Sequence, residues 1–264
     1  GNLGNSIKGV FVGILFFVGS FPLLWQVEGC VNLGEVAKTS KVAAAERPDP
    51  ALDGQLISVT QKLEAREPLG DPRYLKPGPY VSLARHAEMY AWVEEKHERT
   101  EKQTGGGSTT TTTYTYEKKW AAHPKRGSEF KHPQGHDNPE PREQSESFVV
   151  REATVGAYAF APADTEGGFL GAGLPSGERL NLTEGDLAFA AEETANAGFV
   201  RPRLMENHVF LGTGTPSSPN LGDTRIWFVA LATGRMVTLF GKQSGGRVES
   251  WMHEGETKFF RAVA

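Results

Sequence analysis

Apolar and polar residues alternate along most of the chain after residue 55. In Leu83–Glu94, "LARHAEMYAWVE", Leu83, Ala87, Met89, Ala91 and Val93 share one face of an extended strand with Arg85 among them, and His86, Glu88, Tyr90 and Trp92 take the other. Ala, Met and Glu would also suit a helix, but the block that follows favours a strand. "ERTEKQTGGGSTTTTTYTYEKKW" places three glycines and a serine at a tip, followed by a Thr/Tyr run rich in β-formers. Folding about Gly105–Gly107 brings Met89–Trp92 opposite Tyr114–Trp120, where aromatic side chains can pair across a hairpin. "QLISVTQKLEA", "ESFVVREATVGAYAF", "NHVFLGTG", "TRIWFVALAT", "RMVTLFGKQ" and "RVESWMHEG" read as further strands, and "DPRYLKPGPY" as a Pro/Gly turn region. "LTEGDLAFAAEETANAG" is more compatible with a helix. The expected class is mainly β (α+β).

The pattern differs at the N-terminus. Gly9–Val27, "GVFVGILFFVGSFPLLWQV", has no charged residue over 19 positions, which is about 28 Å of helix and close to the hydrocarbon thickness of a bilayer. Lys8 flanks one end and Trp25 sits near the other, at the depth of an aromatic belt. Pro22 would kink the last turn, and Gly9 and Gly13 form a G-x-x-x-G through which a second helix could approach. No A-x-A-like cleavage site follows, and Glu28 spoils the lipobox-like Val27–Cys30. The expected organisation is a transmembrane anchor over 1–28, a linker over 29–54 and a β-rich extramembrane domain over 55–264, with a subdivision into 55–150 and 151–264 left open. Lys38, Lys41 and Arg47 follow the span, but large domains cross membranes largely regardless of charge, so the charge count leaves orientation undecided.

Composition narrows the chemistry. With 23% charged residues of both signs interspersed and a net charge of −4, the chain lacks the basic footprint of a nucleic-acid binder. Its single cysteine, Cys30, excludes an intrachain disulfide and a Cys-rich zinc site. His86-x-Glu88 therefore cannot be the H-x-E of a zinc deaminase, which needs a P-C-x-x-C partner. His132, His136 and Asp137 are the candidate metal ligands, but two histidines four apart share a face only on a helix, and Pro133, Gly135 and Pro139 argue for a rigid loop. Asp223 suits a turn, and Arg225 suits pairing with a carboxylate. Asn181-Leu-Thr183 is a glycosylation sequon that matters only in a secretory lumen. No nucleophile elbow, phosphate loop or dinucleotide fingerprint occurs, so no catalytic residue and no cofactor are expected.

The chain resembles the transmembrane protein 43 (LUMA) family, in a bacterial-type member. The resemblance is carried, in the family's order, by "WQVEG" after the apolar span, "GQLISV", "DPRYL", "RHAEMYAWVE", "TTTYTYEKKW", "GHDNP", "ESF" and "GDTRIWF". The matching positions include Arg85, Glu88, Tyr90, Trp92, Trp120, His136, Asn138, Gly222, Asp223 and Arg225, to which packing, turn and interface roles are assigned. The resemblance implies a multi-pass protein whose large domain faces the periplasm from a bacterial inner membrane, or the lumen of the endoplasmic reticulum and nuclear envelope in a eukaryote. It also implies further spans near the C-terminus, past the "KFFRAVA" at which this sequence stops. It implies no catalytic residues. The expected function is that of a membrane scaffold that self-associates or docks on other membrane proteins in the lipid bilayer, with no nucleic-acid partner. An accessory subunit of a channel or transporter is the alternative, and a metal-dependent hydrolase using His132, His136 and Asp137 is the weaker one.

Overall fold

Period-two patterning becomes two large β-sheets in the computed structural model, which describes residues 33–102, 106–165, 173–188, 202–253 and 257–264. The expected span Gly9–Val27, with Gly9 and Gly13, lies outside these residues, as does most of the helix-compatible stretch beyond Ala188. A short helix, α1 (Leu33–Lys38), leads into β1 (Lys41–Val42), β2 (Leu56–Ala65), β3 (Leu69–Asp71), β4 (Leu75–Gly78), β5 (Tyr80–Lys102) and β6 (Ser108–Ala121). Then come β7 (Glu146–Val149), β8 (Ala153–Val155), β9 (Tyr158–Phe160), β10 (Glu178–Arg179), β11 (Arg203–Met205) and β12 (His208–Leu211). The chain continues with β13 (Thr224–Ala232), β14 (Met236–Ser244), β15 (Arg247–Glu249), β16 (Trp251–His253), β17 (Thr257–Phe259) and β18 (Arg261–Val263). Among the described residues no helix is long and apolar enough to cross a membrane.

The first sheet closes on itself. β2 pairs with β8, β8 with β9, β9 with β15, β15 with β14, and β14 returns to β2 from Met236↔Lys62 to Lys242↔Leu56. β1 adds to β2 in parallel and β18 to β14 in antiparallel. Closure removes the open edges that such short strands would otherwise expose. Inward residues on alternate positions fill the interior: Ile57, Val59, Leu63, Val155, Tyr158, Phe160, Val237, Leu239, Val248 and Phe260 are all essentially buried. Within the segment set apart as a linker, Ala43 and Ala45 join this core. The fully buried Gln243 ties the same segment down, its Nε2 donating to Asp49 O at 2.6 Å and Asp53 Oδ1 at 2.8 Å.

The second sheet runs β11-β12-β13-β5-β6, with β10 beside β13 and β7 beside β5. β11 and β12 turn through Glu206 and Asn207 at φ 49° and 59°, the left-handed pair of a tight primed hairpin. Leu83, Ala87, Ile226, Phe228, Ala230, Val209 and Leu211 pack on the inner face, while Val81 and Leu231 reach into the barrel core. Each sheet takes strands from both sides of residue 150. β5 and β6 pair without interruption from Met89↔Ala121 to Lys102↔Ser108, so their distal halves project as a two-stranded arm.

Candidate interaction surface

Strand alternation that buries Leu83, Ala87 and Met89 turns His86, Glu88, Tyr90 and Trp92 outward. Register then sets Arg225 and Trp227 of β13 beside Glu88 and His86, and Trp120 and Lys118 of β6 beside Tyr90 and Trp92. Arg225 donates to Glu88 Oε2 from Nε (2.8 Å) and from a terminal nitrogen (2.6 Å). Its guanidinium lies 4.5 Å from the Trp120 ring centre and 5.9 Å from that of Trp227. His86 stacks on Trp227 at 5.2 Å, and Arg179 covers the same indole at 5.5 Å. Tyr90 meets Trp120 edge-on at 5.6 Å, and Lys118 Nζ sits 4.8 Å above Trp92. These are half-exposed contacts, each cation–π pair worth about 0.5–1 kcal/mol. Tryptophan, tyrosine and arginine are the side chains enriched at protein interfaces, and three of the chain's five tryptophans sit on this face.

The protonation of His208 follows from its neighbours. Arg179 can only donate, so His208 Nε2 accepts at 2.9 Å, and Nδ1–H donates to Glu206 O at 2.7 Å. Burial, with Arg179 and Arg225 nearby, holds this imidazole below its usual pKa.

A loop over 122–140 latches onto the arm. The Asn138 side chain acts as a short strand: Oδ1 accepts from Trp92 N at 2.8 Å, and Nδ2 donates to Trp92 O at 2.9 Å and Lys125 O at 2.8 Å. His136 stacks on Tyr116 at 4.0 Å and meets Trp92 edge-on at 4.8 Å. The Tyr116 hydroxyl donates to Glu94 at 2.6 Å and holds that carboxyl below the usual carboxylate range. His136 Nδ1 lies 3.0 Å from His132 O, and no three His, Cys, Asp or Glu side chains among the described residues are grouped to hold a metal. His132, His136 and Asp137 thus form no such cluster.

Gly222 and Asp223 organise the neighbouring loop. Asp223, 4% exposed, accepts from the backbone of Thr213 (3.0 Å), Gly214 (3.0 Å) and Asn220 (2.8 Å). Gly222 has φ +89°, and a Cβ there would meet Pro139 Cγ at 2.8 Å. Arg85 faces inward instead. Its guanidinium, 5% exposed, bonds Asp71 at 2.6 Å, Glu146 at 2.7 Å and Gln144 O at 3.1 Å. Tyr74 caps the cluster, its hydroxyl 2.5 Å from Glu143, and burial together with that carboxylate pushes its pKa well above the ordinary tyrosine value.

Sequence reasoning missed Trp227, Arg179, Lys118, Asp71 and Glu143. Trp227 was within reach, because it follows Arg225 on the same face of an alternating strand. Asp71 and Glu143 lie 14 and 58 positions from Arg85, and nothing local joins them. An apolar cavity of about 370 Å³ lies beside Ser82, Phe148, Leu174 and Val229, and no titratable side chain lines it.

These features define a mainly β protein with an aromatic and cationic face on its second sheet. The chain belongs to the transmembrane protein 43 family, a family of membrane proteins, whose model matches residues 89–262. It is 27% identical over 261 residues to transmembrane protein 43 of Mus musculus and 26% identical over 261 residues to that of Homo sapiens. Each match covers 93% of this chain and 61% of the relative. The transmembrane protein 43 homolog of Drosophila melanogaster is 26% identical over 252 residues, covering 90% of this chain and 61% of that protein. The chain thus spans about three fifths of the length of these relatives. No solved structure matches it.

Proposed function

We propose that this protein is a non-enzymatic, membrane-anchored scaffold whose β-rich domain self-associates and docks other membrane proteins. The apolar stretch Gly9–Val27 is its anchor in the bilayer. The domain stands on the periplasmic side of a bacterial inner membrane, or on the lumenal side in a eukaryotic cell. The carrying observation is the outer face of the second sheet, where Arg225 lies between Trp120 and Trp227 with Arg179, Lys118, Tyr90 and Trp92 around it. Such a face combines broad apolar area with directional donors, the pairing on which interface hot spots are built. Its cations favour partners that present carboxylates.

The test is purification of the full chain in mild detergent, with co-purifying membrane proteins identified by mass spectrometry. K118E/R179E reverses charge at two exposed positions; it is expected to strip those proteins while the thermal unfolding midpoint stays within a few degrees. Retention of the same partners would reject this face as the docking surface. A parent chain that purifies alone as a monomer would reject the scaffold.

A further inference from the structure

The arm offers a second, chemically distinct surface. Among the described residues β6 ends the order of its sheet, with β5 on one side and no strand on the other. The direction of its backbone groups follows from β5. Tyr90 N–H donates to Asp223 O, and Gly222 N–H donates to Tyr90 O, both at 2.8 Å; Trp92 likewise turns its N–H and C=O to Asn138. Even-numbered residues of β5 therefore point away from β6, and odd-numbered ones bond it. Their partners run from Ala91↔Lys119 to Glu101↔Thr109. The outward backbone groups of β6 thus belong to Ser108, Thr110, Thr112 and Tyr114.

Ser108–Tyr116, "STTTTTYTY", contains no charge, proline or glycine, and no bulge interrupts its register. Natural edge strands are guarded by those devices. The charges of this hairpin lie on β5, from Glu94 to Lys102, and on β6 only from Glu117 onward. A two-stranded ribbon is marginal by itself in water, and added strands stabilise it.

We propose that this edge pairs antiparallel with the same edge of a second copy, joining two arms into a four-stranded sheet. The proposal rests on the self-associating scaffold read above and names its interface. A two-fold axis through Thr112 sets Thr112 against Thr112, Thr111 against Thr113 and Thr110 against Tyr114. No like charges meet, which is the self-complementarity a two-fold contact requires. Thr–Thr and Thr–Tyr pairs suit cross-strand neighbours. Anchoring both copies in one membrane raises their effective concentration.

T112P tests the edge. Proline deletes an outward N–H while leaving every β5–β6 bond in place, and edge strands tolerate it. In mass photometry of the full chain in detergent, the parent is expected as a dimer or larger and T112P as the protomer. In a C30S background, T112C is expected to form a disulfide across the axis under mild oxidation, since directly opposed strand residues lie within disulfide reach. T100C, on the far strand of the hairpin, is expected to remain free. If T112P assembles like the parent, or T112C links no better than T100C, this interface is overturned while association by another surface stands. A monomeric parent overturns both the interface and the self-association reading.

Discussion

Arg85 is a charged residue in a row of apolar ones, and its surroundings explain how that is tolerated. A lone guanidinium cannot be buried cheaply; here Asp71, fully buried, and Glu146 take its terminal nitrogens and Gln144 O takes Nε. The alternating pattern placed Arg85 on the inner face, and that much was readable from the strand. Its partners were not, because β3 and the segment before β7 reach it only after the chain has folded. R85M removes the cation and leaves Asp71 buried with the backbone N–H groups of Arg73 and Tyr74 but without its guanidinium partner. It is expected to cost about 3–5 kcal/mol in urea unfolding, and a loss under about 1 kcal/mol would show that the cluster relaxes or takes up water. His208 supplies a pH dependence. Its folded-state pKa is lowered, so the native protein binds a proton less readily than the unfolded chain. Its contribution to stability is full above the unfolded value of about 6.5 and declines as pH falls through it. Between about pH 7.5 and 5.5 the melting temperature is expected to fall on acidification, and H208Q to flatten that slope. An unchanged slope in H208Q would assign the dependence to other groups.

At the scale of elements, the β5–β6 hairpin was legible because glycines mark its tip and β-formers fill its strands. The register sets Tyr90 against Trp120 and Trp92 against Lys118, while Tyr114 stands further out, opposite Lys96. The loop that latches onto the hairpin was legible only as a rigid proline-bounded segment. Nothing in "GHDNP" states that Asn138 will complete the strand edge at Trp92, 46 residues earlier, since that contact depends on where the loop returns. N138A deletes three hydrogen bonds and leaves the Trp92 backbone without that partner. It is expected to cost about 1–3 kcal/mol and to raise hydrogen exchange chiefly over residues 122–140. Uniform loss of protection across both sheets would instead mean that the latch is part of the global fold.

At the scale of the whole molecule, the two sheets share a core: Val81 and Leu231 of the second sheet pack with the barrel residues Leu63, Tyr158 and Leu239. Cooperative unfolding follows. L239A, at a fully buried barrel position, is expected to cost about 2–5 kcal/mol. Tryptophan fluorescence, to which Trp92, Trp120 and Trp227 on the other sheet contribute beside Trp25 and Trp251, should lose the same amount as far-ultraviolet circular dichroism. Separate transitions would show two independent folding units. Alternation and turn residues were enough to indicate the longer strands, the faces of β5, the hairpin tip and the mainly β class, because these depend on neighbours in sequence and on a period of two; the short β4 (Leu75–Gly78) instead lies inside the stretch read as a turn region. Which strands meet was decided by long-range packing. The return of β14 to β2 that closes the barrel, the pairing of β13 with β5, and the packing of Arg225 over Trp120 join residues more than a hundred positions apart. A local pattern carries no record of such contacts, since the free energy that selects them comes from burying both partners together.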